Sequence, residues 1–179
     1  LSTSLRTRLR DAGIRSIHDI PVEEKLTAQQ AKVRSVVQSG RPEYGSGLSA
    51  ELDRIATPAH FIDFETMNPA LPIYVGTRPY QVQSFQWSDH VLEAEGSRGH
   101  AEFLADGSDD PRREFVETLL DQLRDAETII VYSSYEATRL RDLQELYPDL
   151  SEAIDELLAR PWVDLLQVVR GHVYHPEFR

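Results

Sequence analysis

Residues 60–66 read His60-Phe61-Ile62-Asp63-Phe64-Glu65-Thr66. The run is apolar and aromatic enough to predict a buried strand, yet it carries two carboxylates. Side chains at i and i+2 of a strand lie on the same face, so Asp63 and Glu65 are expected side by side. In a poorly solvated place such a pair resists ionisation, and a divalent cation such as Mg2+ removes the penalty by taking carboxylate oxygens as ligands. The pattern indicates a metal site. The alternative is an edge strand with one solvated face, on which two acids cost little.

The segments that follow predict an α/β fold. Hydrophobic periodicity and turn residues give, in order, strands at 81–92 and 100–104, a helix at 111–124, a strand at 128–132, helices at 134–146 and 151–158, and a strand or a helix at 162–169. The β-branched run at 128–132 is typical of a strand buried on both faces. We expect a mixed sheet, three antiparallel strands and then parallel strands, flanked by helices. Strand 60–66 is expected to be central, with strand 128–132 parallel to it.

The N-terminal part predicts a small helical segment. One helix is expected to end at Gly13, and a second opens with a capping box, Thr27–Gln30, and ends near Gly40. Residues 41–47 predict a linker, and Ser49 is expected to cap a short helix at 51–56. We therefore divide the chain into a helical linker segment at 1–48 and a main domain at 49–179.

Composition and charge narrow the classes of protein. The 179 residues contain no cysteine, which excludes disulfides, thiolate zinc sites and cysteine nucleophiles. No apolar run approaches the ~20 residues that span a bilayer, so we expect no membrane contact. The absence of cysteine fits a reducing cytoplasm, where we expect the protein. The net charge of -11 divides into +3 over residues 1–48 and -14 over the rest. A basic arm fits phosphate contacts, and bound metals reverse the sign of an acidic site, so a nuclease is not excluded. The chain begins without methionine, and we expect it to be a piece of a longer protein.

A further carboxylate lies where strand 128–132 turns into the next helix. Glu136 is placed beyond the carboxyl end of that strand, where ligand sites of α/β proteins collect. The alternative interpretation is structural, because Ser133-x-x-Glu136 is itself a capping box and the helix dipole favours an acid in a first turn.

These carboxylates resemble those of the DEDD superfamily of 3'-5' exonucleases, which have the ribonuclease H-like fold. Asp63-Phe64-Glu65 is similar to the first motif, and Tyr132-Ser133-Ser134-Tyr135-Glu136 to the second, with Tyr in place of Asn and Glu in place of Asp. The resemblance implies two Mg2+ or Mn2+ ions, ~4 Å apart, that hydrolyse phosphodiester bonds. It implies that Asp63 bridges the ions or holds the first. Glu65 holds one ion and orients the water, and Glu136 holds the second ion through a water.

The superfamily has a last aspartate in a C-terminal helix, which we expect beyond residue 179. The fragment alone is therefore expected to bind metal poorly and to be inactive. Asp164, near the fifth strand, is a secondary candidate ligand.

The chain also resembles a bacterial family of unknown function, DUF2779, over roughly residues 50–179. The matching motifs are Phe61-Ile62-Asp63-Phe64-Glu65-Thr66, Asn68-Pro69-Ala70, Arg78-Pro79-Tyr80-Gln81, Phe85-Gln86-Trp87-Ser88-x-His90, Tyr135-Glu136-x-Thr138-Arg139-Leu140 and Val163-Asp164-Leu165-Leu166. Residues 1–40 resemble the helical linker that joins this domain to an upstream RecB-like nuclease domain in similar proteins. Leu9-x-x-x-Gly13-Ile14-x-Ser16-Ile17 is similar to a helix-hairpin-helix, which would bind phosphates through backbone amides; the alternative is a helical spacer.

The function implied is a metal-dependent 3'-5' exonuclease-like domain acting on single-stranded ends of DNA or RNA. The proline-rich loop 67–80 is expected either to bind the terminal nucleotide or to cover the sheet. Its candidate substrate-binding residues are Tyr74, Arg78 and Tyr80, joined by Tyr135 and Arg139 of the second motif. The alternative is a non-catalytic ribonuclease H-like module that positions nucleic acid or a partner for a larger nuclease.

Overall fold

The computed structural model describes residues 2–178, which form two units. One unit runs up to Ala50 and takes in the chain from Val168 onward, and the other is Glu51–Gln167. The α-helices and strands, in chain order, are α1 Thr3–Asp11, α2 Ala28–Ser39, β1 Glu43–Tyr44, α3 Leu48–Leu52, β2 Ala59–Met67, β3 Gln83–Leu92, β4 Arg98–Leu104, α4 Arg112–Gln122, β5 Thr128–Val131, α5 Tyr135–Leu146, α6 Ser151–Leu158, β6 Trp162–Asp164, α7 Leu165–His172 and β7 Val173–Tyr174.

The first unit is built on α1 and α2, whose ends follow the sequence. The capping box of α2 is formed, because the Thr27 hydroxyl accepts from the Gln30 N–H at 3.3 Å and the Gln30 side chain accepts from the Thr27 N–H at 3.1 Å. The helix ends at Gly40, whose φ of 65° is a left-handed conformation that favours glycine. A small core of Leu5, Leu9 and Ile20 joins the helical segments.

The predicted linker at 41–47 is in part a strand, since β1 pairs antiparallel with β7. Its glycines permit a close approach to His172: a Cβ atom at Gly47 would lie 2.7 Å from that ring, and one at Gly45 would lie 3.2 Å from it. The glycines that suggested a linker therefore serve chain packing. The short helix predicted at 51–56 lies earlier, at α3, because a turn that joins the Leu48 N–H to the Gly45 carbonyl begins it sooner.

The second unit contains a five-stranded mixed sheet in the order β4-β3-β2-β5-β6. β2 pairs antiparallel with β3 and parallel with β5, and β3 pairs antiparallel with β4. The predicted central position of strand 60–66 and its parallel pairing with strand 128–132 are confirmed. The segment left open between strand and helix contains both, since β6 ends at Asp164 and α7 follows at once.

Helices α4, α5 and α6 cover one face of this sheet with apolar side chains. Phe115, Val116 and Leu119 of α4 are fully buried against Ile62 and Phe64 of β2. The rings of Phe64 and Phe115 meet edge to face at 4.9 Å between centroids. All four residues of β5 are buried, as the β-branched run predicted. Among the described residues, no helix is long and apolar enough to cross a membrane.

Candidate functional site

Asp63 and Glu65 lie on the face of β2 opposite the core. Burial alternates along the strand, so that Phe61, Asp63 and Glu65 are exposed while Ile62 and Phe64 are buried. The shared face predicted from the i, i+2 spacing is present. The poorly solvated setting predicted for the pair is wrong, because Ile62 and Phe64 point to the opposite face and Phe61, on the same face, is itself exposed. Asp63 is nevertheless on a central strand, paired with Ser88 of β3.

A register shift in the β2–β3 pairing follows directly after Glu65. Glu65 pairs with Gln86, whereas Thr66 pairs with Ser84, so Phe85 is passed over. Bulges of this kind re-aim the side chains around them and recur beside active sites. Beyond it, the hydroxyls of Thr66 and Tyr135 are 2.6 Å apart, which joins the end of β2 to the first turn of α5.

Glu136 is buried in the first turn of α5, with 4% of its surface exposed. The capping box proposed as its structural role is not formed. The Ser133 hydroxyl accepts from the Tyr135 N–H at 3.2 Å instead, and within the described part of the chain the Ser134 side chain, at the N-cap of α5, makes no capping hydrogen bond. The Oε2 atom of Glu136 is buried and has no hydrogen-bond partner among the described residues.

The electrostatic setting of Glu136 disfavours its charged form. Burial raises the pKa of the Glu136 carboxyl above its ordinary value, although a hydrogen bond from its own backbone N–H lowers it. The negative charges of Asp63 and Asp164 raise that pKa further. Three carboxylates from β2, α5 and β6 therefore lie within electrostatic reach of one another.

Asp164 has a structural contact of its own. It pairs in register with Val131 at the end of β6, is half-buried, and accepts from the Gln167 N–H at 3.1 Å in the first turn of α7. Its position beside the α5 site supports its place as a secondary candidate. Glu65 is not among the groups that shift the pKa of Glu136.

The carboxylate oxygens of the site are donors of the kind that a hard cation binds. Carboxylate oxygens are the ligands that Mg2+ prefers, and an unpartnered buried carboxylate oxygen is what a cation would satisfy. In the part of the chain that the structure describes, no group of three or more His, Asp or Glu side chains is arranged to hold a metal ion.

The predicted substrate-binding residues divide between an exposed loop and α5. Tyr80 is 68% exposed and has a φ of 59°, a strained left-handed conformation for a non-glycine residue. Its N–H donates to the Pro69 carbonyl at 2.9 Å, which closes the loop. Tyr74 is half-buried, and its carbonyl accepts from the Thr77 hydroxyl at 2.7 Å.

Arg139 and Tyr135 are in contact on α5. The Arg139 guanidinium lies over the Tyr135 ring, 5.0 Å from its centroid, and Nη2 is 3.0 Å from the Asp142 carboxylate. Arg139 and Arg78 line the same cavity, of about 410 Å³, so two of the predicted residues that are far apart in sequence meet there.

One buried polar network was missed by the sequence reasoning. His60 Nδ1 lies 2.8 Å from Asp89 Oδ2, to which Gln122 Nε2 also donates at 2.7 Å. His60 and Asp89 are 2% and 0% exposed, on the core face of the sheet. The alternation of side chains along the strands could have predicted this burial. His60 lies on the same face of β2 as Ile62 and Phe64, and Asp89 lies on the same face of β3 as Trp87.

A family model described as a domain of unknown function, DUF2779, matches residues 60–179. The matched stretch begins within β2 and includes every carboxylate of the site. No curated protein and no solved structure matches the chain.

Proposed function

The chain belongs to the DUF2779 family, and we propose that it is a metal-dependent 3'-5' exonuclease-like domain that hydrolyses phosphodiester bonds of DNA or RNA. The observation that carries the proposal is the Oε2 atom of Glu136, which is buried beside the charges of Asp63 and Asp164 and has no hydrogen-bond partner between residues 2 and 178. A carboxylate left in that state costs stability unless a cation or a proton compensates it.

The ribonuclease H-like fold and the DEDD superfamily belong to the same proposal. The strand order β4-β3-β2-β5-β6, with two antiparallel pairings and then parallel ones, supports them. The carboxyl ends of the parallel strands β2, β5 and β6 lie at one edge, where sites of α/β proteins collect. Asp63 lies two residues beyond the last β2–β5 pair, Phe61–Ile130, while Glu136 follows the end of β5 and Asp164 ends β6.

Asp63, Glu65 and Glu136 would hold the ions, two Mg2+ or Mn2+, with Asp164 beside them. When bound, such ions would supply an activated water and charge stabilisation for the leaving 3' oxygen. The protein residues around them orient these ligands: Tyr135 positions the first turn of α5 through its bond to Thr66. The exposed face of β2 leaves Asp63 open to a nucleic-acid strand.

The test is a nuclease assay on single-stranded DNA and RNA labelled at the 5' end, with Mn2+, with Mg2+ or with EDTA, on the complete protein that carries this chain. We expect metal-dependent shortening from the 3' end, abolished in Asp63→Ala and Glu136→Ala. Glu102→Gln is the matched control, because Glu102 is an exposed carboxylate in the same cross-strand row as Asp63 and Ser88.

Asp63→Ala is expected to melt no lower than the wild type without metal, since it removes a like charge. Cleavage that persists in EDTA or in Asp63→Ala would refute the proposal.

The second candidate is a non-catalytic module that positions nucleic acid, or a partner such as an upstream RecB-like nuclease domain. The exposure of Asp63 and Glu65 favours it, because solvated carboxylates need no cation. Strand binding without cleavage at any metal concentration, unchanged in Asp63→Ala, is the result that this candidate expects.

A further inference from the structure

A cavity of about 410 Å³ in the Glu51–Gln167 unit is lined by three arginines from three separate segments. Arg78 comes from the loop after β2, Arg112 from the start of α4, and Arg139 from α5. The volume is within the range of pockets that take small organic ligands. We call it the arginine pocket.

The three guanidinium groups differ in how many of their hydrogen-bond donors already have partners in the protein. Arg112 is 5% exposed and is fixed by Asp110, with Nε 2.9 Å from Oδ1 and Nη2 2.6 Å from Oδ2. Arg139 pairs with Asp142, but its Nε is buried and has no hydrogen-bond partner among the described residues. Arg78 is exposed on its loop. The pocket therefore holds one rigid guanidinium and two with donors to offer.

Acidic and polar groups line the same pocket. Asp142 and Glu145 of α5 are among them, as are Gln81 of the loop before β3 and Ser84 of β3. A small anion alone would meet carboxylates as well as arginines. A ligand that carries a phosphate together with hydroxyl or amino donors would use both kinds of group, because arginine forks match phosphate oxygens and carboxylates accept from donors.

The arginine pocket adjoins the acidic site. Arg139 lies one helical turn after Glu136, and its guanidinium rests on the Tyr135 ring. The Tyr135 hydroxyl contacts Thr66, whose register partner Ser84 lines the pocket.

We propose that the arginine pocket binds a nucleoside 5'-monophosphate, with Arg78 and Arg139 on the phosphate and the carboxylates of α5 on the ribose or base donors. The inference rests on the proposed function for the identity of the ligand, since cleavage that releases a 3' oxygen leaves the phosphate on the 5' side of the freed nucleotide.

The test is calorimetric titration of the chain with thymidine 5'-monophosphate in EDTA, beside titrations with inorganic phosphate and with thymidine. We expect the nucleotide to bind more tightly than either fragment. Arg78→Gln and Arg139→Gln are each expected to weaken binding by about tenfold, the loss of one charge-assisted hydrogen bond. Arg124→Gln is the matched control, because Arg124 is an exposed arginine paired with Asp121 on the surface.

Arg78→Gln keeps the test decisive if Arg139→Gln fails to fold, since Arg78 is exposed on a loop. Absence of nucleotide binding, equal binding of thymidine or of phosphate, or unchanged binding in Arg78→Gln would overturn the inference. The two proposals fail separately. Arginine-dependent nucleotide binding without metal-dependent cleavage refutes the exonuclease alone, and cleavage without nucleotide binding in EDTA refutes the pocket alone.

Discussion

The hydroxyls of Thr66 and Tyr135, 2.6 Å apart, connect the residue after Glu65 to the residue before Glu136. This single hydrogen bond therefore joins the immediate neighbours of two carboxylates that are 71 positions apart in the sequence. The bond lies near the end of β2 directly beyond the register shift, where Thr66 pairs with Ser84 of β3. It directly links the two halves of the candidate site.

A double-mutant cycle is expected to show that the Thr66 and Tyr135 hydroxyls contribute to stability through their bond to each other. Tyr135→Phe keeps the ring under Arg139 and deletes only the hydroxyl, while Thr66→Val deletes its partner at similar volume. Each is expected to lower the free energy of unfolding by roughly 0.5–1 kcal/mol, because the bond is partly solvated. The double variant is expected to lose about as much as either single one, as measured by urea denaturation. Strictly additive losses would show that the bond contributes nothing.

Two neighbouring phenylalanines test which face of β2 is covered. Phe64 is 5% exposed and packs on Phe115, whereas Phe61 is 37% exposed on the face of Asp63. Phe64→Ala is expected to cost about 3–5 kcal/mol of unfolding free energy. Phe61→Ala, the matched change, is expected to cost about 1 kcal/mol, in line with its smaller loss of buried area. Chemical denaturation measures both, and equal losses would contradict the one-sided burial of the strand.

The sheet was predictable because local patterns determine it. The apolar runs at β2 and β5 and the amphipathic period of α4 are sequence properties, and short connections restrict how such elements pair. The shared face of Asp63 and Glu65 also follows from the strand period. Which face is solvated does not follow, because that depends on where the helices pack.

The features that the sequence did not predict all depend on contacts between segments that are distant in the chain. The pairing of β1 with β7 joins residues about 130 positions apart, and no local pattern indicates it. The burial of Glu136 arises from the way α5 leaves β5, although its sequence also fits an ordinary cap. The meeting of Arg112 with Arg78 and Arg139 needs three segments to converge.

The buried pair of His60 and Asp89 is expected to be a structural requirement of the sheet. Asp89→Ala leaves the buried His60 Nδ1 and the half-buried Gln122 amide without their acceptor. We expect a loss of roughly 2–4 kcal/mol, from unsatisfied buried polar groups and lost volume. His90→Ala is the control, because His90 is an exposed histidine on the other face of β3. A similar small loss in both variants, measured by urea denaturation, would show that the buried network does not stabilise the fold.

The Glu136 carboxylate, whose Oε2 atom has no hydrogen-bond partner among the described residues, is expected to make stability depend on pH and on metal. Because burial and the charges of Asp63 and Asp164 raise its pKa, the folded state holds its proton more tightly than the unfolded state does. The free energy of unfolding therefore falls as pH rises from the ordinary glutamate pKa, about 4.3, through the raised pKa of the folded state.

Glu136→Gln, which imitates the protonated form, is expected to be more stable than the wild type by about 1 kcal/mol at pH 7.5 without metal. The difference is expected to vanish near pH 4, and in the complete protein that carries this chain millimolar Mn2+ at pH 7.5 is expected to stabilise the wild type but not the variant. Urea denaturation at pH 4, 6 and 7.5, with and without Mn2+, measures each term, and Glu145→Gln on the same helix serves as the control. A variant less stable than the wild type at pH 7.5 would mean that the Glu136 charge is compensated within the protein, and the case for a cation at this site would fail with it.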